Sequence, residues 1–143
     1  MTFVGSVDFW TTLDAWIADR KVVVDRPKGS PHPRYDEWHY PLDYGYLAET
    51  TSGDGEGIDV WIGTSPQRRV TGLVATVDRE KGDAEIKLLI GCLPEEARTV
   101  LDIHNRGRQS AILLLRDDAS VADSNIHLRE PGSTRNHDPD NVA

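Results

Sequence analysis

The sequence predicts a mainly β protein with α-helices, folded as a small mixed barrel with helices packed outside. Three observations lead there: several short alternating or β-branched runs, two segments of helical period, and a length of 143 residues that fits one domain. Residues 7–19 form the first helical segment, with Phe9, Leu13, Trp16 and Ile17 spaced as one apolar face and Ser6 as N-cap. "KVVVD" (21–25) is β-branched and ends before Pro27, so it reads as a strand. "PKGSPHPR" (27–34) holds three prolines and a glycine and reads as irregular loop.

Downstream, "WHYPLDYGYLAET" is aromatic and extended, interrupted by Pro41 and Gly45. "IDVWIG" (58–63) and "RVTGLVATVD" (69–78) alternate as strands do, and "DAEIKLLIG" (83–91) returns after the turn "REKG". Residues 69–91 therefore predict a hairpin. Pro94, Glu95 and Glu96 mark a helix start, and the helical period runs on to Gly107. The length of "SAILLLR" (110–116) favours a strand. We expect residues 1–116 to form a single domain and 117–143 to be a polar, extended tail.

Composition limits the function. The chain is 38% hydrophobic and 28% charged, as a soluble globular protein is. Its longest apolar run, "AILLL", is far too short for a membrane span, and the N-terminal segment lacks the features of a signal peptide. A net charge of −8 argues against nucleic acid as a partner. Cys92 is the only cysteine, which excludes an internal disulfide and a cysteine-rich zinc site, and suits the cytoplasm.

The acidic residues are clustered. "GDGEGIDVW" (53–61) contains Asp54, Glu56 and Asp59 among three glycines. It is not an EF-hand loop, because Ile58 and Asp59 fall at the fifth and sixth positions counted from Asp54. A tight turn and a metal loop both remain open for this stretch. Asp78 and Asp83 flank the hairpin turn and would converge with it if the two loops share one end of the barrel. Such a group of carboxylates repels itself unless cations neutralise it. Mg²⁺ suits, since it uses one or two protein carboxylates and leaves room for phosphate oxygens; Mn²⁺ is the alternative. Arg34, Tyr44 and Lys87 lie near the acidic segments in sequence and supply phosphate-binding chemistry.

These segments resemble soluble family I inorganic pyrophosphatases. "DGEGIDV" resembles the family's Asp-Gly-Asp-Pro-hydrophobic-Asp signature, and "YPLDYGYL" (40–47) its Tyr-Pro-x-Asn-Tyr-Gly-Tyr segment. "DREKGD" (78–83) matches a later aspartate pair, and "VDRPKGSPHPRYD" (24–36) an early Glu-x-Pro…Lys-Tyr-Glu stretch. The order is the family's, across roughly residues 22–91. The resemblance implies a five-stranded OB-like barrel with flanking helices. It also implies Mg²⁺-dependent hydrolysis of pyrophosphate to two phosphates by a metal-activated water, and possible homo-oligomers.

Carried over, Asp54, Asp59, Asp78 and Asp83 are expected metal ligands, and Asp25 and Asp36 replace glutamates that support the metal and water network. Arg34, Tyr44 and Lys87 are expected phosphate contacts. Glu56 stands where the family has the aspartate that deprotonates the attacking water, and Glu85 where it has a lysine. Lys87, two residues on, projects from the same strand face as Asp83 and Glu85. The family's arginine hairpin after Tyr35 and its Tyr-Lys pair in the late helix are missing. Two other readings follow: hydrolysis of another diphosphate such as a nucleotide, and an OB-like metal- or phosphate-binding module without turnover.

Overall fold

The computed structural model describes Gly5 and residues 7–116. The expected N-cap at Ser6 and the polar tail 117–143 lie outside the described residues. The elements are α1 (Val7–Asp19), β1 (Val22–Arg26), β2 (Asp43–Leu47), β3 (Ile58–Ile62), β4 (Val70–Asp78), β5 (Asp83–Ile90), α2 (Pro94–Ile103) and β6 (Gln109–Leu115). Residues 14–115 make up one compact unit. Among the described residues, the start of α1 and Arg116 belong to a second. Within that second unit the Arg116 guanidinium lies 5.9 Å from the Trp10 ring.

The fold is mainly β with two helices, as expected. Its six strands are ordered β1-β2-β3-β5-β4-β6, with β3 and β5 parallel at the centre and every other pair antiparallel. The structure is consistent with the expected OB-like fold, and differs from a five-stranded barrel in two respects. "SAILLL" supplies a sixth strand that continues the sheet beyond β4, and β1 and β6 are left as edges of an open sheet. The predicted hairpin is β4–β5, in register from Asp78 opposite Asp83 upward.

Gly45 lets β1 pair closely with β2, because a Cβ there would lie 1.8 Å from the Val23 carbonyl oxygen. One face of the sheet buries Leu47, Val60, Leu88 and Ile90 almost completely. The buried face of α1 is Trp10, Leu13 and Ile17, while Phe9 is 44% exposed. The apolar stripe is therefore turned by one residue from the expected one, and still follows helical spacing. Trp16 is half-buried and meets the Arg20 guanidinium at 5.7 Å.

α2 ends at Ile103, before Gly107, because His104 leaves the helix at φ −87° and ψ 4°. At its start Glu96 accepts the Leu93 N–H at 2.8 Å and the Thr64 hydroxyl at 2.7 Å. That carboxylate both caps the helix and ties it to the end of β3. Among the described residues no helix is long and apolar enough to cross a membrane.

Candidate functional site

Strand register puts the chemistry on one face of the sheet. Tyr44 stands opposite Trp61, Tyr46 opposite Asp59, Asp59 beside Lys87, Glu85 opposite Thr76, and Asp83 opposite Asp78. Residues directly opposite one another project from the same face, and every second residue along a strand shares it. The same face carries Trp61, Val74 and Leu89, which form an apolar cluster with Ala97 and Val100 of α2. Helix α2 thus covers one half of the face. The other half, from Tyr44 across Asp59 and Lys87 to the hairpin end, is polar.

Lys87 is the centre of that half. Its side chain is only 7% exposed, and its Nζ donates to Asp59 Oδ2 at 2.7 Å and Glu85 Oε1 at 2.9 Å. Burial works against the ammonium, but the Asp59 and Glu85 carboxylates outweigh it and hold Lys87 protonated beyond the ordinary lysine range. Burial also pushes the Tyr44 phenol well above its usual range, the Lys87 charge opposing this and Asp59 adding to it. Tyr44 is therefore a hydroxyl donor at any working pH. Its ring packs 4.6 Å from Trp61 and 5.7 Å from Tyr40.

Behind the charges runs a hydrogen-bonded chain of neutral groups. Trp61 Nε1 donates to His104 Nε2 at 3.1 Å, and His104 Nδ1 meets Gln109 Oε1 at 3.1 Å. An indole N–H can only donate, so Nε2 accepts and Nδ1 carries the proton. Burial pulls the His104 pKa down, and the nearby Lys87 charge lowers it further. The imidazole is thus a neutral spacer. Cys92, buried beside the same cluster, has its thiol pushed up to about 12 by burial and is no nucleophile.

The loop aspartates are arranged differently. Asp54 Oδ1 accepts the Ser52 hydroxyl at 2.5 Å and the Glu56 N–H at 2.9 Å, and these bonds hold its carboxyl below the usual range. Gly55, at φ +86°, closes that turn. "SGDGEG" is therefore a self-bonded turn, in which Glu56 is exposed and its carbonyl accepts the Ser52 N–H at 2.7 Å. The turn nevertheless lies by the site: a Cβ on Gly53 would come 3.7 Å from the Ala84 carbonyl, and the Lys87 charge reaches Asp54.

At the hairpin, Asp78 Oδ1 accepts the Lys81 and Glu80 N–H groups at 2.9 and 3.0 Å, and Arg108 Nε approaches Oδ2 at 3.4 Å. The Lys81 N–H leads in lowering the Asp78 pKa, helped by Glu80 and Arg108 and opposed by burial. Asp83 is 33% exposed and meets Lys81 Nζ at 3.6 Å.

The structure thus gathers Tyr44, Asp59 and Lys87, with Asp54 nearby and Asp83 further along the same face. It does not bring Asp25 or Arg34 into contact with them. Asp25 is the extra residue of a bulge between Val24 and Arg26, and Asp36 is exposed in the connecting loop. Arg34 is exposed in a turn whose backbone is held by His32 Nδ1 at 3.0 Å. That loop is joined to the segment before β2 by backbone hydrogen bonds, His32 to Trp38 at 2.8 Å and Tyr40 to Ser30 at 3.0 Å, and His32 stacks 5.9 Å from Tyr40. Sequence reading missed Arg26, which the bulge sets opposite Tyr44, and the buried bonds of His104 to Trp61 and Gln109. Both depend on long-range register that no local motif encodes.

A divalent ion on Asp59 does not fit this donor set while Lys87 is in place. The ammonium already stands between Asp59 and Glu85, and the Asp54 and Asp78 carboxylates are bonded within their own turns. Among the described residues no group of three or more acidic, histidine or cysteine side chains is gathered closely enough to hold a metal.

The architecture is similar to that of solved inorganic pyrophosphatases. That from Neisseria gonorrhoeae matches with a TM-score of 0.52 and 18% identity over 73% of this chain and 86% of its own. That from Helicobacter pylori matches with a TM-score of 0.52 and 14% identity over 75% of this chain and 90% of its own. The chain has a pyrophosphatase-like fold. At such identity the likeness concerns the fold alone. No protein-family model matches the sequence, and no curated protein matches it.

Proposed function

We propose that this chain hydrolyses pyrophosphate, or another small diphosphate, at the polar half of the sheet face. The observation that carries the reading is the Tyr44–Asp59–Lys87–Glu85 group, anchored on three strands of a pyrophosphatase-like fold beside an open, acidic loop end. A divalent ion such as Mg²⁺ or Mn²⁺, if bound together with the substrate, would offset the charge that two phosphates carry. Glu56, exposed, and Asp83, 33% exposed, are the carboxylates that would meet such a complex, because Mg²⁺ keeps most of its waters and takes one or two carboxylates.

In this reading Tyr44 donates its hydroxyl to a phosphate oxygen, and Lys87 supplies a fixed positive charge. Asp59 and Glu85 orient that charge, which costs no rearrangement when the substrate arrives. Glu56 is the candidate base. It accepts the proton of the attacking water as the new P–O bond forms, and the bridging oxygen leaves with the second phosphate. Arg34 is a phosphate contact on the loop tethered to the site through His32 and Tyr40.

The ring series offers a second reading, a nucleotide substrate. From Tyr44 it runs through Tyr40, with Trp38 4.7 Å from Tyr40 and the 55%-exposed Tyr35 5.2 Å from His32. An exposed aromatic beside a phosphate site can stack on a base. Phosphate release from pyrophosphate and from nucleoside diphosphates, with Mg²⁺ or Mn²⁺ and an Asp59→Asn control, tests both. Release from pyrophosphate that the control lacks supports the first reading, and release from nucleotides alone supports the second. Absence of release from any of them defeats the enzymatic reading and leaves a binding module.

A further inference from the structure

We infer that Lys87 is a built-in cation, standing in the place that a divalent ion would take between Asp59 and Glu85. The inference concerns binding and holds whether or not the chain turns pyrophosphate over. Two carboxylates from adjacent strands converge on one nitrogen at 2.7 and 2.9 Å. The ammonium is 7% exposed and the Glu85 side chain 13%. The ammonium is the shared counter-charge of the two carboxylates, the Asp59 side chain being 28% exposed. Tyr44 stands on the same face of the neighbouring strand β2, diagonal to Asp59.

These are hard oxygen donors, the type that Mg²⁺ and Mn²⁺ prefer. The position is filled by a covalently attached charge delivered from β5, whose register with β3 sets Lys87 beside Asp59. A lysine here neutralises the carboxylates permanently, whereas a divalent ion would do so only above its dissociation constant. Deleting the ammonium while leaving its partners should convert a salt-bridge centre into a metal site. Lys87→Ala removes Nζ, leaves Asp59, Glu85 and Tyr44, and opens a volume that an ion with its waters can enter.

The test is Mn²⁺ binding to the full chain, counted by titration calorimetry and by the loss of free-Mn²⁺ electron paramagnetic resonance signal. Lys87→Ala is expected to bind one more Mn²⁺ per chain than the wild type and to gain a Mn²⁺-dependent rise in melting temperature. Asp59→Asn added to Lys87→Ala should abolish both gains. An unchanged count in a folded Lys87→Ala overturns the inference. Should that variant not fold, Asp59→Asn in the wild-type background decides. An unchanged Mn²⁺ count supports a centre held by lysine, and loss of one bound Mn²⁺ overturns it. Phosphate release enters neither readout, so a failure here is separate from a failure of the enzymatic reading.

Discussion

Asp54 and Asp59 are five residues apart in one acidic stretch, yet they meet opposite fates. Asp54 is exposed in a turn and spends its carboxylate on the hydroxyl of Ser52 and the backbone of Glu56. Asp59 is half-buried on a central strand and faces Lys87 from the neighbouring one. The hairpin is an intermediate case: Asp78, at the end of β4, is held by backbone N–H groups of its own turn and by Arg108 from 30 residues away, while Glu85 reaches Lys87 two residues along its own strand. Asp54 is satisfied within its own turn. Asp59 is satisfied by what the sheet register brings, a lysine 28 residues away whose side chain is only 7% exposed. The strand-borne group is where the field is strongest and where binding chemistry has most to gain.

Lys87→Ala should break the strand-borne group most severely. It leaves Glu85, 13% exposed, and Asp59, 28% exposed, without their shared cation, and truncating one member of such a partly buried ion pair costs up to about 3 kcal/mol. Urea denaturation should show that loss, and a variant within 1 kcal/mol of wild type by this measure (on the scale of an exposed pair) would put Lys87 at the surface in effect.

The neutral chain behind the group should show itself in acid. The folded pKa of His104 is lowered, so the unfolded chain binds the extra proton first as pH falls through about 6.5. Stability is then fully present above that value and declines below it. His104→Gln should flatten the decline in melting temperature between neutral pH and pH 5, and an unaltered slope would remove His104 from the account.

Gly55→Ala probes the turn. Its φ of +86° disfavours any other residue, and no described atom lies within 4 Å of the new Cβ. The cost should therefore be conformational only, about 1 kcal/mol, with little effect on the Lys87 group. Smallest of all should be the stability loss in Asp54→Ala, which removes only exposed, solvent-competing bonds. A loss matching that of Lys87→Ala would erase the contrast between the two regions.

Much of the fold was legible because its signals are local. The β-branched run at 22–24, the alternation at 58–62 and 70–78, and the Pro94-Glu95-Glu96 helix start each follow from nearest neighbours. The open six-stranded sheet was not, since nothing within "SAILLL" tells whether β6 closes on β1 or extends β4 alone. At the site, period-two spacing put Lys87, Glu85 and Asp83 on one strand face from sequence alone. That Lys87 meets Asp59 depends on a parallel pairing across 28 residues, which no motif states. The aspartates of "GDGEGIDVW" posed a choice between turn and ligand. The structure divides them: Asp54 makes the turn, and Asp59 joins a site whose cation is a lysine.

The measurement that bears most directly on the central claim is steady-state phosphate release from pyrophosphate with saturating Mg²⁺, comparing Asp59→Asn with Asp54→Asn. If the strand-borne group carries the function, Asp59→Asn should lower kcat about 100-fold or more, as losing one preorganised electrostatic group does, while Asp54→Asn retains most of it. Equal losses in the two variants, or full activity in Asp59→Asn, would contradict the account.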